Sequence, residues 1–227
     1  MASNGKLILV AGAGSGLGDA LLDRFAAGGY HAVGLARTER IAPSGHVIQS
    51  VDLADPEAVQ ATITRLIAKH GAPATVIHNT AHLVRGPFQE TAPDSFKATW
   101  SNMVLSAVAL AQAVLPAMQK DGGAFLVSGA TASLRGGSGF SAFASAKFAL
   151  RGLTQSLARE YQTDGIHVAH VILDGIIDSA KSRDLHDLAP ARMMKPDELA
   201  DAYWTLAHQP KSTWTHELDL RPMSEKF

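Results

Sequence analysis

The feature of this sequence that most restricts its fold is a glycine cluster placed between a strand and a helix. The apolar run Lys6–Ala11 predicts a buried strand, the segment Gly12–Gly18 follows directly, and helical apolar spacing begins at Gly18. In this order, glycines let backbone amides approach a pyrophosphate closely, while the helix directs unpaired N–H groups and its positive dipole end at the same anion. The segment therefore predicts a phosphate-binding turn, with a merely tight turn as the alternative.

Apolar runs and amphipathic segments alternate along the whole chain. The runs that predict buried strands are Leu7–Ala11, His31–Ala36, His46–Val51, Thr75–His78, Ala124–Ser128, His167–Leu173 and Glu217–Leu220. The segments with helical spacing are Gly18–Ala27, Pro56–His70, Asp94–Met118, Ala142–Tyr161 and Pro196–His208. Asp55 followed by Pro56 is typical of a helix start. Alternation of this kind predicts one α/β domain over residues 1–227, built on a parallel sheet.

Composition excludes several classes of function. The 227 residues carry 20 Lys+Arg against 21 Asp+Glu, and this net charge of −1 gives no reason to expect nucleic acid or an acidic membrane as a partner. The absence of cysteine excludes disulfides, thiolate zinc sites and a cysteine nucleophile. We find no run of about 18 apolar residues and no signal-peptide pattern. We therefore expect a cytoplasmic protein with no membrane partner and no metal site.

The spacing of the glycines points to one family. The cluster reads Gly12-x-x-x-Gly16-x-Gly18, and it fails the pattern G-x-G-x-x-G because Leu17 occupies the third glycine position. This spacing resembles the short-chain dehydrogenase/reductase family, and the resemblance extends along nearly the whole chain. Other segments that resemble the family are Asp52-Leu53, Asn79 within His78–Ala81, Asn102, Ala113–Met118 and Asp174–Ser179.

The resemblance implies a Rossmann-like doubly wound fold of about seven parallel strands with helices on both faces. It also implies an oxidoreductase that acts on a small carbonyl or alcohol with a nicotinamide dinucleotide, beneath a short substrate lid around residues 179–194. The residues it assigns to the cofactor are Gly12, Gly14, Ser15, Gly16, Leu17, Gly18, Arg37, Asp52, Leu53, Asn79, Lys147, Gly175, Ile177 and Ser179.

The end of the second predicted strand favours NADP over NAD. An acid about 20 residues beyond the glycine turn would bind the ribose 2′-hydroxyl of NAD, whereas an arginine can pair with the 2′-phosphate of NADP. Here Ala36 takes the place of the acid and Arg37 follows it. A solvated surface role for Arg37 is the alternative.

The catalytic centre departs from the family pattern at two positions. The family uses a Tyr-x-x-x-Lys pair, a serine upstream and an asparagine. Here Lys147 and Asn102 are present, but Phe143 stands at the tyrosine position and Ala130 at the serine position. Phenylalanine cannot donate a proton, and acid–base catalysis contributes about 100- to 10,000-fold, so ordinary carbonyl reduction should be weak.

Replacements for the missing phenol are few in the sequence. His82 follows the strand Thr75–His78 and is the most suitable spare acid, although an exposed loop histidine is the simpler interpretation. The hydroxyls of Thr131, Ser133 and Ser141 are nearby in sequence, but each is typical of a cap or a turn.

Two functions therefore stay open. One is an oxidoreductase whose substrate supplies its own reactivity, or whose proton comes from water or a histidine. The other is a dinucleotide-binding sensor, scaffold or partner subunit that has lost its chemistry. In either case the family resemblance implies a homodimer or homotetramer, formed through the helices Asp94–Met118 and Ala142–Tyr161. On the second helix, the apolar residues available for pairing are Ala142, Phe143, Ala146, Ala149, Leu150 and Leu153.

Overall fold

The apolar runs form one central sheet in the computed structural model, which describes residues 5–225. Its strands are β1 (Leu7–Ala11), β2 (His31–Ala36), β3 (Arg40–Ile41), β4 (Val47–Ser50), β5 (Pro73–His78), β6 (Gly123–Ser128), β7 (Ile166–Leu173) and β8 (Glu217–Leu220). They lie in the order β3-β4-β2-β1-β5-β6-β7-β8. Every neighbouring pair is parallel except β3 with β4.

Amphipathic segments form the helices that cover the sheet. They are α1 (Leu17–Ala27), α2 (Pro56–His70), α3 (Pro93–Trp100), α4 (Ser106–Met118), α5 (Ser141–Tyr161), α6 (Ala180–Leu185) and α7 (Pro196–Ala207). Asp55 caps α2 as the sequence predicts, because its side chain accepts hydrogen bonds from the N–H groups of Glu57 and Ala58 at 3.0 and 3.1 Å.

The helices divide between the two faces of the sheet. One layer contains α1 and α7, and the other contains α2, α4 and α5, each with its own buried apolar cluster against the strands. The predicted doubly wound α/β fold with seven parallel strands is confirmed. The two-residue antiparallel strand β3 was not predicted, since two residues are too few for an apolar run to register.

A π-helical turn interrupts the long helix predicted over Asp94–Met118. It spans Ser101–Leu105 and joins α3 to α4 without a break in the helical path. Side chains take part in its hydrogen bonding: the Asn102 amide donates to the Ala98 carbonyl at 2.8 Å, and the Ser106 hydroxyl donates to the Asn102 carbonyl at 2.7 Å. Such turns often occur at functional sites. Here the turn carries Asn102.

The helical run Pro93–Met118 is also long and apolar enough to cross a membrane by length and composition. Most of its apolar window, 61%, is buried inside the fold. It packs against α2, α5 and β5. The apolar character of this run is therefore explained by its place in the core.

Candidate active site

The glycine turn is shaped by two close contacts that exclude a side chain and by a third glycine with positive φ. Gly12 has φ of 85°, and a Cβ there would lie 2.6 Å from the Asn79 carbonyl oxygen. A Cβ at Gly18 would lie 2.8 Å from the Ala13 Cα, so α1 packs directly on the turn. Gly16, with φ of 97°, caps α1 without a side-chain hydrogen bond. The Asp19 N–H bonds the Gly14 carbonyl at 3.2 Å, so the first turn of α1 presents the uncapped N–H groups of Leu17 and Gly18.

A cavity of about 460 Å³ opens beside this turn. It lies at the carboxyl ends of β1, β2, β4 and β5, where the strand order reverses on either side of β1. Ligands of open α/β sheets bind at this kind of switch point. The predicted cofactor residues on its wall are Gly12, Gly14, Ser15, Leu17, Gly18, Arg37, Asp52, Leu53, Asn79, Ile177 and Ser179.

Three predicted cofactor residues lie outside that wall. Gly16 faces the lid segment, and a Cβ added to it would meet the Ser179 Cβ at 3.4 Å. Gly175 packs against Pro222 and Met194, with a Cβ position only 2.7 Å from the Pro222 Cδ. Lys147 is buried beneath the site, with 2% of its surface exposed.

The wall also includes residues that the sequence did not assign to the cofactor. These are Ala36, Val51, Thr80, Ala81, His82, Asn102, Lys181 and Ser182. For Val51, Thr80 and Ala81 the available signal was their position beside assigned residues at strand ends. Lys181 and Ser182 belong to α6, a short helix within the lid that the sequence does not predict.

The predicted lid is partly helical and is anchored at both ends. Ser179 caps α6, because its hydroxyl accepts from the Ser182 N–H at 3.1 Å. Asp178 pairs with Arg183 through two hydrogen bonds of 2.6 and 2.8 Å. The N–H groups of Asp178 and Met194 each bond across the base of the segment at 2.8 Å. The segment therefore leaves the sheet edge and returns to the same place, and it positions α6 over the cavity.

Asn79 ties the end of β5 to the glycine turn. Its backbone N–H donates to the Ala11 carbonyl at 2.7 Å, and its side-chain amide reaches the Gly12 carbonyl at 3.3 Å. This linkage holds β1 and β5 at the spacing that the cavity requires.

Of the four residues that the sequence assigns to catalysis, Phe143 and Lys147 lie close together on α5. The turn Thr131–Ser133, which begins just after Ala130, packs against α5. The ammonium of Lys147 lies 5.7 Å from the centre of the Phe143 ring and donates to the Ser128 carbonyl at 2.8 Å. The place of the missing phenol is therefore filled by an apolar ring beside a buried ammonium.

Burial governs the protonation of Lys147 and of its histidine neighbour. Desolvation lowers the pKa of Lys147 to about 7. Desolvation, followed by the nearby Lys147 charge, lowers the pKa of His78 to about 3, so this imidazole is neutral at physiological pH. His78 Nε2 lies 2.9 Å from the Ser106 hydroxyl, which in turn donates to the Asn102 carbonyl. A buried polar layer therefore connects the π turn to the region of Lys147.

The other proton donors considered from sequence are mostly engaged. Ser133 bonds His170 at 2.9 Å, and Thr131 donates to Asp174. The Ser141 hydroxyl is enclosed and has no partner among the described residues. His82 lies on the cavity wall. Asn102 also lies on that wall, and its side-chain amide donates a hydrogen bond to the Ala98 carbonyl.

Tyr203 offers no substitute for the missing phenol. The hydroxyl of Tyr203 is fully buried and lies 2.6 Å from the Ser128 hydroxyl, and burial raises its pKa. Tyr203 belongs to α7, on the face of the sheet opposite α5. It therefore cannot take the place of a phenol on α5.

The residues present fit a dinucleotide. Gly14 has open space where a Cβ would stand, and α1 presents its uncapped N–H groups beside it. The Lys147 ammonium has three hydrogens but only one hydrogen-bond partner among the described residues, the Ser128 carbonyl. An anion-binding turn and a buried donor with spare capacity are the features that a pyrophosphate and a ribose require.

Comparison with known proteins agrees with this geometry. The sequence profile of the short chain dehydrogenase family matches residues 6–187. A probable galactose dehydrogenase, GalD, of Rhizobium meliloti (strain 1021) is 32% identical over 191 residues, which is 78% of this chain and 74% of that protein. The chain belongs to the short-chain dehydrogenase/reductase family. As such it is an oxidoreductase of a family that uses NAD(P).

Solved structures extend the similarity over the whole fold. A short-chain dehydrogenase from Rhodopseudomonas palustris is 34% identical, with a TM-score of 0.82 and coverage of 96% of this chain and 98% of that one. A metagenomic short-chain oxidoreductase in complex with NADP is 24% identical, with a TM-score of 0.81 and coverage of 96% and 97%. At that identity the second likeness concerns the fold alone.

The lowered pKa of Lys147 predicts a pH dependence of stability. Because its pKa is about 7 in the folded chain and near 10.5 ordinarily, the unfolded state binds more protons between these values. The free energy of unfolding should therefore rise with pH across this window. The Lys147→Met variant should lose this rise, so its slope should be lower by up to about 1.4 kcal/mol per pH unit.

Urea unfolding at several pH values between about 7.5 and 9.5 measures the two slopes. Lys120→Met is the matched control, since Lys120 is exposed and should keep the wild-type slope. Equal slopes for wild type and Lys147→Met would show that the Lys147 ammonium is not desolvated as described.

Proposed function

We propose that this chain is an NADP-dependent oxidoreductase whose site holds the dinucleotide without supplying the usual phenol proton. The observation that carries the proposal is a cavity lined by eleven of the fourteen assigned cofactor residues, combined with Phe143 and Ala130 at the two proton-handling positions. When bound, the reduced dinucleotide supplies a hydride. The chain's own residues bind, orient and enclose the reactants.

Support for NADP comes from the end of β2. Arg37 is exposed on the cavity wall, and Ala36 precedes it where an NAD enzyme would carry an acid. Among the described residues that line the cavity, Asp52 is the only carboxylate, and it accepts a hydrogen bond from the Ala54 N–H at 3.0 Å. A guanidinium without a competing acid beside it suits a 2′-phosphate.

Lys147 and the π turn support the other end of the site. Lys147 offers hydrogens beyond the one given to the Ser128 carbonyl, which suits ribose hydroxyls. Asn102 borders the cavity from the π turn. These groups orient the ligand, and none of them replaces the proton donor that is missing at position 143.

A second candidate function is a dinucleotide-binding sensor, scaffold or partner subunit without turnover. The same two residues, Phe143 and Ala130, favour it, because neither can stabilise a developing alkoxide. The two functions share the cofactor cradle and differ only in turnover. Reduction of any substrate at a rate above that of the Lys147→Met variant would exclude the second candidate.

The Arg37→Ala variant tests the cofactor assignment. Wild-type protein should bind NADPH at least about tenfold more tightly than NADH, since a charge-assisted hydrogen bond contributes that much or more. The variant should lose this preference by weakening NADPH binding while NADH binding stays unchanged. Titration by nicotinamide fluorescence measures both affinities.

Arg65→Ala is the control for this titration, because Arg65 is an exposed arginine on α2 that contacts Gln49 and lies off the cavity wall. It should keep the wild-type preference. Equal affinity of wild type for the two cofactors, or a preference for NADH, would refute the assignment to NADP.

The double variant Phe143→Tyr with Ala130→Ser tests the account of the missing acid. Wild type should show little or no reduction of simple ketones. Restoring both hydroxyls beside the Lys147 ammonium should raise that rate about 100-fold or more. Steady-state oxidation of NADPH over a panel of ketones measures the gain.

Phe88→Tyr is the matched control, since Phe88 is exposed and lies off the cavity wall, so its hydroxyl would enter solvent. It should leave the rate at the wild-type level. Robust ketone reduction by wild type would mean that His82, Thr131 or a water already supplies the proton. A double variant that binds NADPH and stays inert would mean that the substrate pocket differs from the family's.

We also propose a homodimer or homotetramer formed through α3, α4 and α5. Of the apolar residues expected to pair from α5, Ala142, Ala146 and Leu150 are buried in the chain's own core. The large apolar side chains that remain exposed on these helices and the π turn are Trp100, Leu105 and Phe148. Trp100 bonds Ser145 across the two helices at 3.1 Å, so this surface is continuous from α3 to α5.

Light scattering at micromolar concentration should find a dimer or tetramer, and Leu105→Glu should dissociate it because a carboxylate would be buried in the interface. Leu185→Glu is the control, since Leu185 is exposed on α6, away from these helices. A wild-type monomer would refute the proposal.

A further inference from the structure

Three side chains form a polar link, centred on the buried Asp174, at the carboxyl edge of β6, β7 and β8. Thr131 follows β6, Asp174 is the first residue after β7, and Arg221 is the first residue after β8. The Thr131 hydroxyl donates to Asp174 Oδ1, and Arg221 Nη2 lies 3.1 Å from Asp174 Oδ2. The link therefore joins neighbouring strands at the edge where the cavity opens.

The hydrogen-bond polarity of the Thr131 hydroxyl is fixed by this link. The Asp174 side chain is 3% exposed, and a buried carboxylate accepts hydrogen bonds but donates none. A threonine hydroxyl has a single hydrogen, and this one is given to Asp174. For any further partner, Thr131 Oγ1 therefore presents only its lone pairs.

The turn that contains Thr131 places this residue close to α5. Thr131 follows Ala130, the position of the family serine, and its turn packs against α5, which carries Phe143 and Lys147. Asp174, its partner, lies three residues before Ile177 on the cavity wall. Thr131 itself is half-buried.

The hydrogen-bonding groups described here are the opposite of those that carbonyl reduction needs. A carbonyl oxygen requires a hydrogen-bond donor as negative charge develops on it. Phe143 and Ala130 offer none, and Thr131 offers an acceptor. The reacting heteroatom that fits this acceptor must itself carry a hydrogen.

We propose that the substrate is a protonated imine and that Thr131 accepts the hydrogen bond of its N–H. This inference rests on the proposed function, and it names the substrate class for that site. The imine carbon takes up the hydride of the reduced dinucleotide while the C=N π pair moves onto nitrogen. The product is a neutral amine, so no proton has to be supplied by the protein.

An alcohol also carries a hydrogen on its heteroatom, but its oxidation fits less well. The alcohol proton would have to leave through Thr131 to Asp174. Both oxygens of that carboxylate are already engaged, one by the Thr131 hydroxyl and the other by Arg221. Reduction of a protonated imine avoids this step.

Three probes of similar ring size test the proposal with wild-type protein and NADPH. They are methylpyrroline, which is a five-membered cyclic imine, its N-methylated iminium salt, and cyclopentanone. The salt keeps the positive charge but lacks the N–H. Wild type should reduce methylpyrroline with a kcat/KM at least about tenfold above that of the salt. It should not reduce cyclopentanone.

Two variants of Thr131 separate the hydrogen bond from packing. Thr131→Val removes the hydroxyl at nearly constant shape and should lower kcat/KM for methylpyrroline about tenfold or more, with no effect on the N-methylated salt. Thr131→Ser keeps the hydroxyl and should retain the wild-type value.

A binding measurement gives a readout besides turnover. Protonated methylpyrrolidine carries the same N–H donor without a reducible bond. Calorimetry should show that Thr131→Val weakens its binding about tenfold while the affinity for NADPH stays unchanged. Thr131→Ser should bind both as wild type does.

The outcomes are distinguishable from failure of the proposed function. If Thr131→Val lowers reduction of the imine and of its N-methylated salt equally, Thr131 has only a structural role and the inference is wrong. If wild type binds NADPH but reduces neither iminium, or prefers cyclopentanone, the inference is wrong and the cofactor proposal stands. If wild type fails to bind NADPH, the proposed function fails and the inference fails with it.

Discussion

The whole site depends on the absence of two β-carbons. At Gly12 a Cβ would press on the Asn79 carbonyl, and at Gly18 it would press on the backbone of Ala13. These two contacts let β1, β5 and α1 meet within one turn of chain, which aims the first turn of α1 into the space beside the sheet edge. With side chains at these two positions the strand ends would separate. The N-terminal end of α1 would then lie farther from the sheet edge and would lose its close approach to a bound anion.

Most of the fold follows from local patterns, and its exceptions are short or polar. Seven parallel strands and five long helical runs were predictable because each buries a continuous apolar run or stripe. Strand β3 has two residues, and α6 has six residues with none buried, so neither leaves a periodic apolar signal. The π turn at Ser101–Leu105 could not be predicted, because it depends on side-chain hydrogen bonds within a run whose spacing is helical throughout.

Some residues of the site were likewise predictable from the sequence, and others were not. Residues at strand ends beside the glycine turn were predictable, because parallel strands bring their carboxyl ends to one edge. The link from Thr131 through Asp174 to Arg221 was not, since it joins positions as much as 90 residues apart and depends on the register of three strands. Gly175 also matched the family motif, yet its neighbours Pro222 and Met194 occupy the side on which a side chain would lie. A motif fixes which residues come near a site and leaves open the directions in which they face.

The family pattern places a proton-donating tyrosine and a cofactor-binding lysine on one face of a helix. This chain has the lysine, Lys147, without the tyrosine. A buried ammonium is costly to keep, and here it gains one carbonyl partner and no carboxylate among the described residues. Its remaining hydrogens suit ligand hydroxyls, which supports the proposed role of Lys147 in positioning a dinucleotide. Phe143, one turn earlier, removes the group that would move a proton. Under the proposed function, such a site aligns a hydride donor without acid catalysis, which suits a substrate that needs no proton when it accepts a hydride.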